Sequence, residues 1–325
     1  MSRLKYYPIE LHSHTYHSDG KFSVKDLLEN AKDFDYEAIF LTDHNTTAGL
    51  DEIYEQGLDE EIIPVFPGIE WTTFFGHMLI LGTKDAGNYT LATLDNIEEC
   101  IDDIKTKNPD AIIGMAHPFD IGNPICTGCH FEYIVNDYSK FSYIELVNSE
   151  NSHASKSTLK AYDRWIELLK EGYKLAALSG RDWHVESNPD ETVAVSMLGI
   201  EGEVTNESTL DAIRNLHTYI TYGPILDLKM DTTDLGDEIS NDFLKGSLSI
   251  LKPHFKNNQN LHIKPAQLVI YNNENVVFES TITYHEKVDF EISNLHSGYI
   301  RIEILGEMKD LSSQRLVIAS PIFIK

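Results

Sequence analysis

Two histidines separated by one residue, His12 and His14, directly follow the apolar run Ile9 to Leu11. Side chains two positions apart in a strand point to the same face, so both imidazoles could bind one metal ion. Asp19, in the turn that follows, adds a carboxylate that could ligate the same ion or a neighbouring one. A His-x-His pair alone is also typical of an ordinary polar strand end, so its meaning depends on the rest of the chain.

Further candidate ligands lie at the ends of other short apolar segments. His44, Glu70, His117, Asp182 and His184 follow such segments, and His77 opens one. Together with the first three residues they supply six imidazoles and three carboxylates. Catalytic zinc uses about three protein ligands, so this set predicts two or three divalent ions. Nitrogen and oxygen ligands without thiolate favour Zn, Mn or Fe over Ca or Mg, and the sequence does not choose among the three.

The apolar segments that precede these residues alternate with segments of helical periodicity. Apolar residues recur at helical spacing in 23–34, 93–107 and 155–170. This alternation predicts a parallel α/β sheet, and about seven such units in roughly 220 residues suit a barrel. In parallel α/β barrels the carboxyl ends of the strands form the active-site face. We therefore expect the scattered candidate ligands to converge in space.

The sequence pattern changes at Gly223. The segments that follow show short alternating apolar runs without an amphipathic helix, and 271–276 is typical of a hairpin turn. We therefore expect two domains, an α/β barrel over residues 1–222 and a small antiparallel β-sandwich over residues 223–325.

The chain of 325 residues has 26 Lys and Arg against 52 Asp and Glu, a formal net charge of −26. Such a field repels a nucleic-acid backbone, so we expect no nucleic-acid partner, although a metal site could still hold a small anionic substrate. No apolar run approaches the ~20 residues of a membrane helix, and the start lacks a signal-peptide core. We expect a cytoplasmic protein without a membrane partner, and the oligomeric state is not indicated.

Three cysteines do not make a disulfide framework in a chain of this size; they are Cys100, Cys126 and Cys129. The segment 126–130 matches the pattern of c-type haem attachment, which we interpret as accidental because such attachment needs export. A loop with free thiols is favoured over a redox pair or an additional metal site.

Five motifs, in this order, resemble those of the PHP (polymerase and histidinol phosphatase) superfamily of metal-dependent hydrolases. They are His12-Ser13-His14-Thr15 with Ser18-Asp19-Gly20, Thr42-Asp43-His44-Asn45, Gly68-Ile69-Glu70, Ala116-His117-Pro118 and Gly180-Arg181-Asp182-Trp183-His184. The resemblance covers residues 1 to about 222. The segment that follows, entered through Tyr222-Gly223-Pro224, resembles the appended domain of the CehA/McbA-type subgroup.

The resemblance implies a distorted (β/α)7 TIM-like barrel, followed by the small all-β sandwich, with a centre of two or three metals. One ion would be held by His12, His14, Glu70 and Asp182, a second by Glu70 as a bridge with His77 and His117, and a third by Asp19, His44 and His184. A metal-bridging hydroxide would attack phosphorus or a carbonyl carbon. Asp43 and Asn148 would orient a ligand imidazole or a bound water.

Two further residues have open roles. His17 would protonate the leaving group or contact substrate, or else it is a solvated loop residue. Arg181 would clamp a phosphate, or else it points outward and pairs with an acid. The loop 119–131, which contains two of the cysteines, should overhang the site and select the substrate.

Three functions are compatible with these features. The leading hypothesis is a phosphoesterase that hydrolyses a small phosphorylated metabolite. An alternative is hydrolysis of a carboxyl or carbamate ester, or an amide, at the same centre. A non-catalytic metal- or ligand-binding protein is the other alternative, since a fold alone does not prove chemistry.

Overall fold

A computed structural model of the chain describes residues 4–122, 128–149, 155–188, 191–256, 262–309 and 311–325. Within these ranges the chain is a mixed α/β protein, with its helices confined to the part before residue 215 and strands along its whole length.

Among the residues described, the first part contains nine strands and six α-helices. In chain order they are β1 (Lys5–Glu10), α1 (Val24–Phe34), β2 (Ala38–Leu41), α2 (Ala48–Gln56), α3 (Leu58–Glu61), β3 (Val65–Thr73), β4 (Gly76–Leu81), α4 (Ile97–Lys107), β5 (Ile112–Met115), β6 (Tyr143–Asn148), α5 (Lys156–Lys170), β7 (Ala176–Gly180), β8 (Val195–Ile200), α6 (Asn206–Arg214) and β9 (Thr218–Thr221).

These nine strands lie in one sheet in the order β9-β8-β1-β2-β3-β4-β5-β6-β7. Strands β1 to β3 are mutually parallel, and so are β5 to β7, as the alternation of strands and helices predicts. Strands β4 and β8 run antiparallel to both of their neighbours. The parallel sheet expected from the sequence is therefore a mixed one. Only two residues connect β3 to β4, which permits a hairpin but not a parallel crossover.

Strands β7 and β8, which are far apart in this order, meet through a side chain. The Ser196 hydroxyl donates to the Ser179 carbonyl at 2.8 Å and accepts from the Ser179 N–H at 2.8 Å. In the part of the chain that the structure describes, no backbone ladder pairs these two strands. The closed barrel stays a prediction.

The helices pack on this sheet through the apolar faces that the sequence predicts. Helix α1 begins after Ser23, whose hydroxyl accepts from the Asp26 N–H, and its buried face begins at Val24 and ends at Phe34. Helix α5 begins after Ser155 in the same way. These faces bury the helices against strands that are themselves buried on both sides, such as β2 and β5.

The second part consists of strands among the residues described. They are β10 (Ile225–Met230), β11 (Glu238–Ile239), β12 (Phe243–Leu251), β13 (Ile263–Asn272), β14 (Asn275–Thr281), β15 (Lys287–Ser293), β16 (Gly298–Met308), β17 (Leu311–Ala319) and β18 (Ile322–Ile324). The predicted hairpin turn is confirmed, because β13 and β14 pair antiparallel up to Asn272 and Asn275.

Two sheets are present in this second part. Strands β10, β12 and β15 form a separate three-stranded antiparallel sheet. The other strands continue the large sheet, because β17 pairs with β9 from Val317 to Ala319. The all-β content agrees with the sequence, while the sandwich arrangement and the boundary between residues 222 and 223 stay predictions. None of the described helices is long and apolar enough to span a lipid bilayer.

Candidate metal centre

The segments that carry the candidate ligands are joined by backbone hydrogen bonds just beyond the strand ends. The His14 N–H donates to the Trp183 carbonyl at 3.0 Å, and the Trp183 N–H donates to the His12 carbonyl at 3.1 Å. The Asn45 N–H donates to the Glu70 carbonyl at 3.0 Å. The end of β1 is thus fixed to that of β7, and the end of β2 to β3.

Glu70, a fully buried carboxylate in β3, lies at the centre of the cluster. Five imidazoles contact its two oxygens at 2.8–3.3 Å. The contacts to Oε2 come from His12, His14 and His44, and those to Oε1 come from His77 and His117. A carboxylate that presents each oxygen to a different set of imidazoles is suited to bridge two metal ions.

All nine predicted ligands converge at this place. Three overlapping groups of ligand atoms lie within 4.8 Å of one another in each group. These groups are His12, His14, Glu70 and Asp182; His14, Asp19, His44 and His184; and His44, Glu70 and His77. The first group has the same members as the first predicted set. The second contains the predicted third set with one more histidine.

The remaining group differs from the predicted second set. His44 joins Glu70 and His77 there, whereas the prediction names His117. His117 nevertheless lies beside them, with its Nε2 atom 3.0 Å from Glu70 Oε1. His44 is shared because its Nδ1 faces Glu70 at 3.0 Å while its Nε2 lies 3.3 Å from Asp19.

The donor atoms fit metal ions. Several of them are buried and have no hydrogen-bond partner among the described residues; they are His12 Nε2, His14 Nδ1 and Nε2, His77 Nε2 and Glu70 Oε2. An unsatisfied buried polar atom costs about 1–3 kcal/mol. Two ligands that share a zinc ion at about 2.1 Å are about 3 Å apart, which is the spacing of the contacts around Glu70. Divalent ions bound beside Glu70 would therefore satisfy several of these atoms, such as His12 Nε2 and Glu70 Oε2.

The charges of the cluster favour a cation. Burial opposes protonation of His12, but Glu145 and Glu70 outweigh it and raise the pKa of His12 well above its ordinary value. Burial also opposes protonation of His44 and His117, but Glu70 outweighs it. The pKa of His44 therefore rises to about 10 and that of His117 to about 9. Burial alone would raise the pKa of Glu70, yet the surrounding imidazoles hold it well below its ordinary range. The carboxylates therefore attract positive charge, as a proton or as a metal ion.

Two candidate ligands adopt left-handed backbone conformations, which non-glycine residues rarely occupy. The φ angle is 27° at His117 and 51° at Asp182. Such conformations cost on the order of 1–3 kcal/mol each and persist where the surrounding structure fixes them. At His117 the fixing contact is the hydrogen bond that its N–H donates to Glu145 Oε2 at 2.9 Å.

Glu145, in β6, is a residue of this cluster that the sequence motifs do not identify. Its Oε1 atom lies 3.0 Å from His12 Nδ1, while Oε2 accepts from the backbone of His117. A carboxylate that holds an imidazole at Nδ1 is typical of metal sites, where it directs Nε2 to the ion, and this contact makes Glu145 a candidate positioning residue for His12. One signal was available in the sequence. Glu145 interrupts the apolar run Tyr143 to Val147, and a carboxylate buried there needs partners.

We expect Glu145→Gln to weaken metal affinity by about ten- to hundredfold. The neutral amide would present a donor to His12 Nδ1, which disfavours the tautomer whose Nε2 binds metal. Titration against a competing chelator measures this affinity. Glu29→Gln, on the exposed side of α1, is the matched control. An affinity equal to that of the control would contradict the positioning role of Glu145.

Asp43 and Asn148 form the following hydrogen bonds with residues other than a candidate ligand imidazole, and their predicted contact with a bound water stays a prediction. Asp43 accepts from the N–H and the hydroxyl of Thr15, both at 2.7 Å, and from the Ser18 hydroxyl at 2.6 Å. It therefore fixes the loop after the first histidine pair rather than an imidazole. The Asn148 amide donates to Asp120 Oδ2 at 2.5 Å.

His17 lies in the same loop but belongs to none of the three ligand groups of the described chain. Its Nε2 atom lies 2.6 Å from Glu52 Oε2, and the Tyr16 hydroxyl donates to the same oxygen at 2.5 Å. The rings of Tyr16 and His17 stack with their centroids 4.5 Å apart. His17 is therefore held in place by Glu52 and is not simply solvated.

Arg181 is buried, and its guanidinium lies on the Trp183 ring, 3.6 Å from the ring centroid. It also donates to the Ser187 hydroxyl. Its backbone N–H donates to Glu10 at 2.9 Å. Burial raises the pKa of Glu10, and the charge of Arg181 opposes this rise. This placement favours the outward alternative, in which Arg181 pairs with an acid, over the phosphate clamp.

We expect Arg181→Met to lower the free energy of unfolding by about 3–5 kcal/mol, because Glu10 would remain buried without a nearby cation. The KM of any substrate that the protein turns over should not change. Chemical denaturation and steady-state kinetics test the two statements. Arg164→Met, on the surface of α5, is the control. A raised KM at unchanged stability would restore the phosphate clamp.

The segment after His117 packs on the hairpin between β3 and β4. The Glu132 N–H donates to the Phe75 carbonyl at 2.7 Å, and His117 Nδ1 lies 3.1 Å from the Cys129 carbonyl. Cys129 is disulfide-bonded, so the expected free thiol at this position is wrong. Cys126 lies outside the described residues, and Cys100 is free.

Large apolar side chains are exposed in the loops that adjoin the candidate ligands. The exposed fraction is 50% for Tyr16, 76% for Phe74, 88% for Ile121 and 45% for Val185. Each of them lies within a few residues of a candidate ligand along the chain. Exposed apolar groups beside a polar site offer contacts for the carbon skeleton of a substrate.

The family model of the PHP domain matches residues 10–218. No curated protein sequence matches the chain. Among solved structures, a two-domain protein from Bacteroides vulgatus, described as containing a predicted PHP-like metal-dependent phosphoesterase, has a TM-score of 0.57 at 14% identity. The match covers 99% of this chain and 96% of that one, so the two chains share a fold over almost their full lengths.

Two other solved structures match shorter portions. One, from Bifidobacterium adolescentis, is described as an inferred metal-dependent phosphoesterase, with a TM-score of 0.37, 15% identity, and coverage of 63% of this chain and 94% of that one. The other is an amidohydrolase from Chromobacterium violaceum with bound sulfate, with a TM-score of 0.34, 15% identity, and coverage of 55% and 88%.

Proposed function

This chain belongs to the PHP domain family, and we propose that it is a metal-dependent hydrolase that acts on a small organic phosphoester. The observation that carries the proposal is the position of Glu70, whose two oxygens each face a separate set of imidazoles. Such an arrangement suits two adjacent ions, and pairs of ions are well suited to stabilise both oxygens of a phosphoryl displacement.

We propose two or three ions, each Zn, Mn or Fe, at the following residues. The first would be held by His12, His14, Glu70 and Asp182, the second by Glu70, His77 and His117, and the third by Asp19, His44 and His184. Bound there, the ions would supply a water-derived nucleophile near neutral pH and offset the negative charge that develops on the phosphoryl oxygens.

The residues of the chain itself would do the positioning. Glu145 holds His12 with its Nε2 towards Glu70, and it holds the strained backbone at His117. Asp43 fixes the loop that carries His17. The exposed apolar side chains around the site would contact the carbon skeleton of an anionic metabolite, while the ions bind its phosphate.

His17 is proposed to protonate the leaving group, with Glu52 as its positioning residue. We expect His17→Ala to slow the hydrolysis of alkyl phosphates by about a hundredfold, because an alkoxide leaves poorly without a proton. Hydrolysis of p-nitrophenyl phosphate should be nearly unchanged, since nitrophenolate needs no proton to leave. Steady-state rates on both substrates give the measurement. An equal loss on both would assign His17 a structural role.

The proposed function is tested with protein loaded separately with Zn, Mn or Fe. Release of phosphate is measured from aryl and alkyl phosphates, and release of phenol from matched aryl carboxyl esters, with His117→Ala as the blank. Selective phosphate release that the substitution abolishes is the expected result. A metal-loaded protein that is inactive on every phosphoester would overturn the proposal.

A second candidate function is hydrolysis of a carboxyl or carbamate ester, or of an amide, at the same centre. The placement of Arg181 favours it. This guanidinium contacts Trp183 and Ser187, so it is not available to bind a substrate phosphate. The resemblance of the C-terminal segment to the CehA/McbA-type subgroup agrees with this candidate. Selective turnover of the carboxyl esters in the same panel would establish it, and metal binding without any turnover would indicate a binding protein.

A further inference from the structure

A cavity of about 190 Å³ lies between α5 and β17, and none of its lining residues is a candidate metal ligand. Thr158, Leu159 and Tyr162 line it from α5, and Gln314 and Arg315 line it from β17. The volume is below the range of about 300–1,000 Å³ that is usual for drug-sized ligands, so it suits a small molecule.

Beside this cavity two guanidinium groups share one carboxylate. Arg315 Nε donates to Glu303 Oε2 at 3.3 Å, and Arg301 Nη1 pairs with the other oxygen, Oε1. Within the described ranges neither arginine forms an ion pair with any other carboxylate. Two positive charges and one negative charge leave an excess of one positive charge, although the whole chain has a net charge of −26.

The polar groups around Glu303 cannot accept from all of the guanidinium donors. Each guanidinium has five N–H donors. The Tyr162 hydroxyl donates to Glu303 Oε1 at 2.5 Å and accepts from Arg301, so Arg301 already uses Glu303 Oε1 and the Tyr162 hydroxyl as acceptors. Arg315 is stacked on the Tyr162 ring at 3.9 Å and its side chain remains 38% exposed. Arg315 therefore has a fixed orientation, and some of its N–H donors are available to a ligand.

The remaining walls of the cavity are mostly apolar, with Ser313 as a further polar residue. Leu146 and Ile318 line it together with Leu159. Leu146 and Ile318 are almost fully buried, whereas Leu159 is 46% exposed and stands at the opening. A ligand that fits these walls carries an anionic group at one end and a short hydrocarbon portion at the other.

We propose that this cavity binds a small organic anion, with a carboxylate or phosphate group on Arg315 and a short apolar skeleton between α5 and β17. The site is separate from the candidate metal centre and does not depend on the proposed hydrolase function.

The test is calorimetric titration of the full-length protein with butanoate and with butylphosphonate, whose P–C bond resists hydrolysis. We expect saturable binding of at least one of them, and the stronger ligand identifies the headgroup. Arg315→Gln should weaken this binding by about ten- to hundredfold, as for the loss of a charge-assisted hydrogen bond. The substitution leaves Arg301 and Glu303 as a neutral pair, so the fold should persist.

A second variant changes the shape of the cavity without changing its charge. Leu159→Trp should also remove the binding, because the larger ring occupies the opening while every charge is kept. Arg164→Gln, which removes an arginine from the outer face of the same helix, and His117→Ala, which alters the metal centre, should both bind as the original chain does. Absence of binding by both anions, or binding that survives Arg315→Gln and Leu159→Trp, would overturn the proposal.

Discussion

Glu70→Gln is expected to cause the largest loss of function that a single substitution can produce in this chain. The carboxylate contacts five imidazoles, and its negative charge is what favours a cation at the centre of the cluster. A neutral amide offers one weak acceptor and two N–H donors, and these donors would face ligand nitrogens.

The expected size follows from the charge stabilisation that bound ions provide, which is worth several kcal/mol. A loss of about 4–5 kcal/mol corresponds to a fall of kcat by at least about a thousandfold. We expect the metal content, measured by plasma mass spectrometry, to fall in the same variant. Glu29→Gln is the control. Full metal content with full activity would show that Glu70 does not bridge the ions.

Gly180→Ala is expected to damage the centre without touching any candidate ligand atom. A Cβ atom at Gly180, the last residue of β7, would lie 2.5 Å from His12 Cβ and even closer to Glu145 Oε1. Real Cβ atoms do not approach so closely, so His12, Glu145 or the strand must move.

This movement has two measurable consequences. Overpacking should lower the free energy of unfolding by about 1–3 kcal/mol. A misplaced His12 and weaker metal binding should together lower kcat/KM by about a thousandfold, of which about a hundredfold comes from geometry.

Gly172→Ala provides the contrast for Gly180→Ala. Gly172 has a φ angle of 93° and open space around its Cβ position, so the substitution adds backbone strain of about 1–2 kcal/mol and no clash. It should cost stability and keep activity. If both variants retained activity, the packing between β7 and the Glu145 carboxylate would not be needed for the centre.

The convergence of the ligands could be predicted from the sequence because it depends on local rules. The extended segment just beyond β1, which is bridged to the end of β7 at Ser13 and Trp183, carries His12 and His14, and the ends of neighbouring strands meet at one edge. The order of motifs then brings Glu70 and His117 to the same edge, although they are far apart in sequence.

Other features depend on packing that a single sequence does not encode locally. The alternation of side chains along a strand is compatible with two directions of the Arg181 side chain. The direction in the structure depends on its contacts with Trp183 and the buried Glu10. The role of Glu145 depends on its distance from His12, which lies more than a hundred residues earlier in the chain. The antiparallel direction of β4 follows from a two-residue connection that the apolar pattern alone does not mark.

The pairing of β17 with β9 also determines how the protein unfolds. Because Val317 to Ala319 complete the ladder of Tyr219 to Thr221, the last strands of the chain protect an edge of the sheet that supports the metal centre. Removal of the C-terminal part would expose that edge and favour aggregation. Loss of structure in either part should therefore spread to the other, and heating should give one cooperative transition for the entire chain.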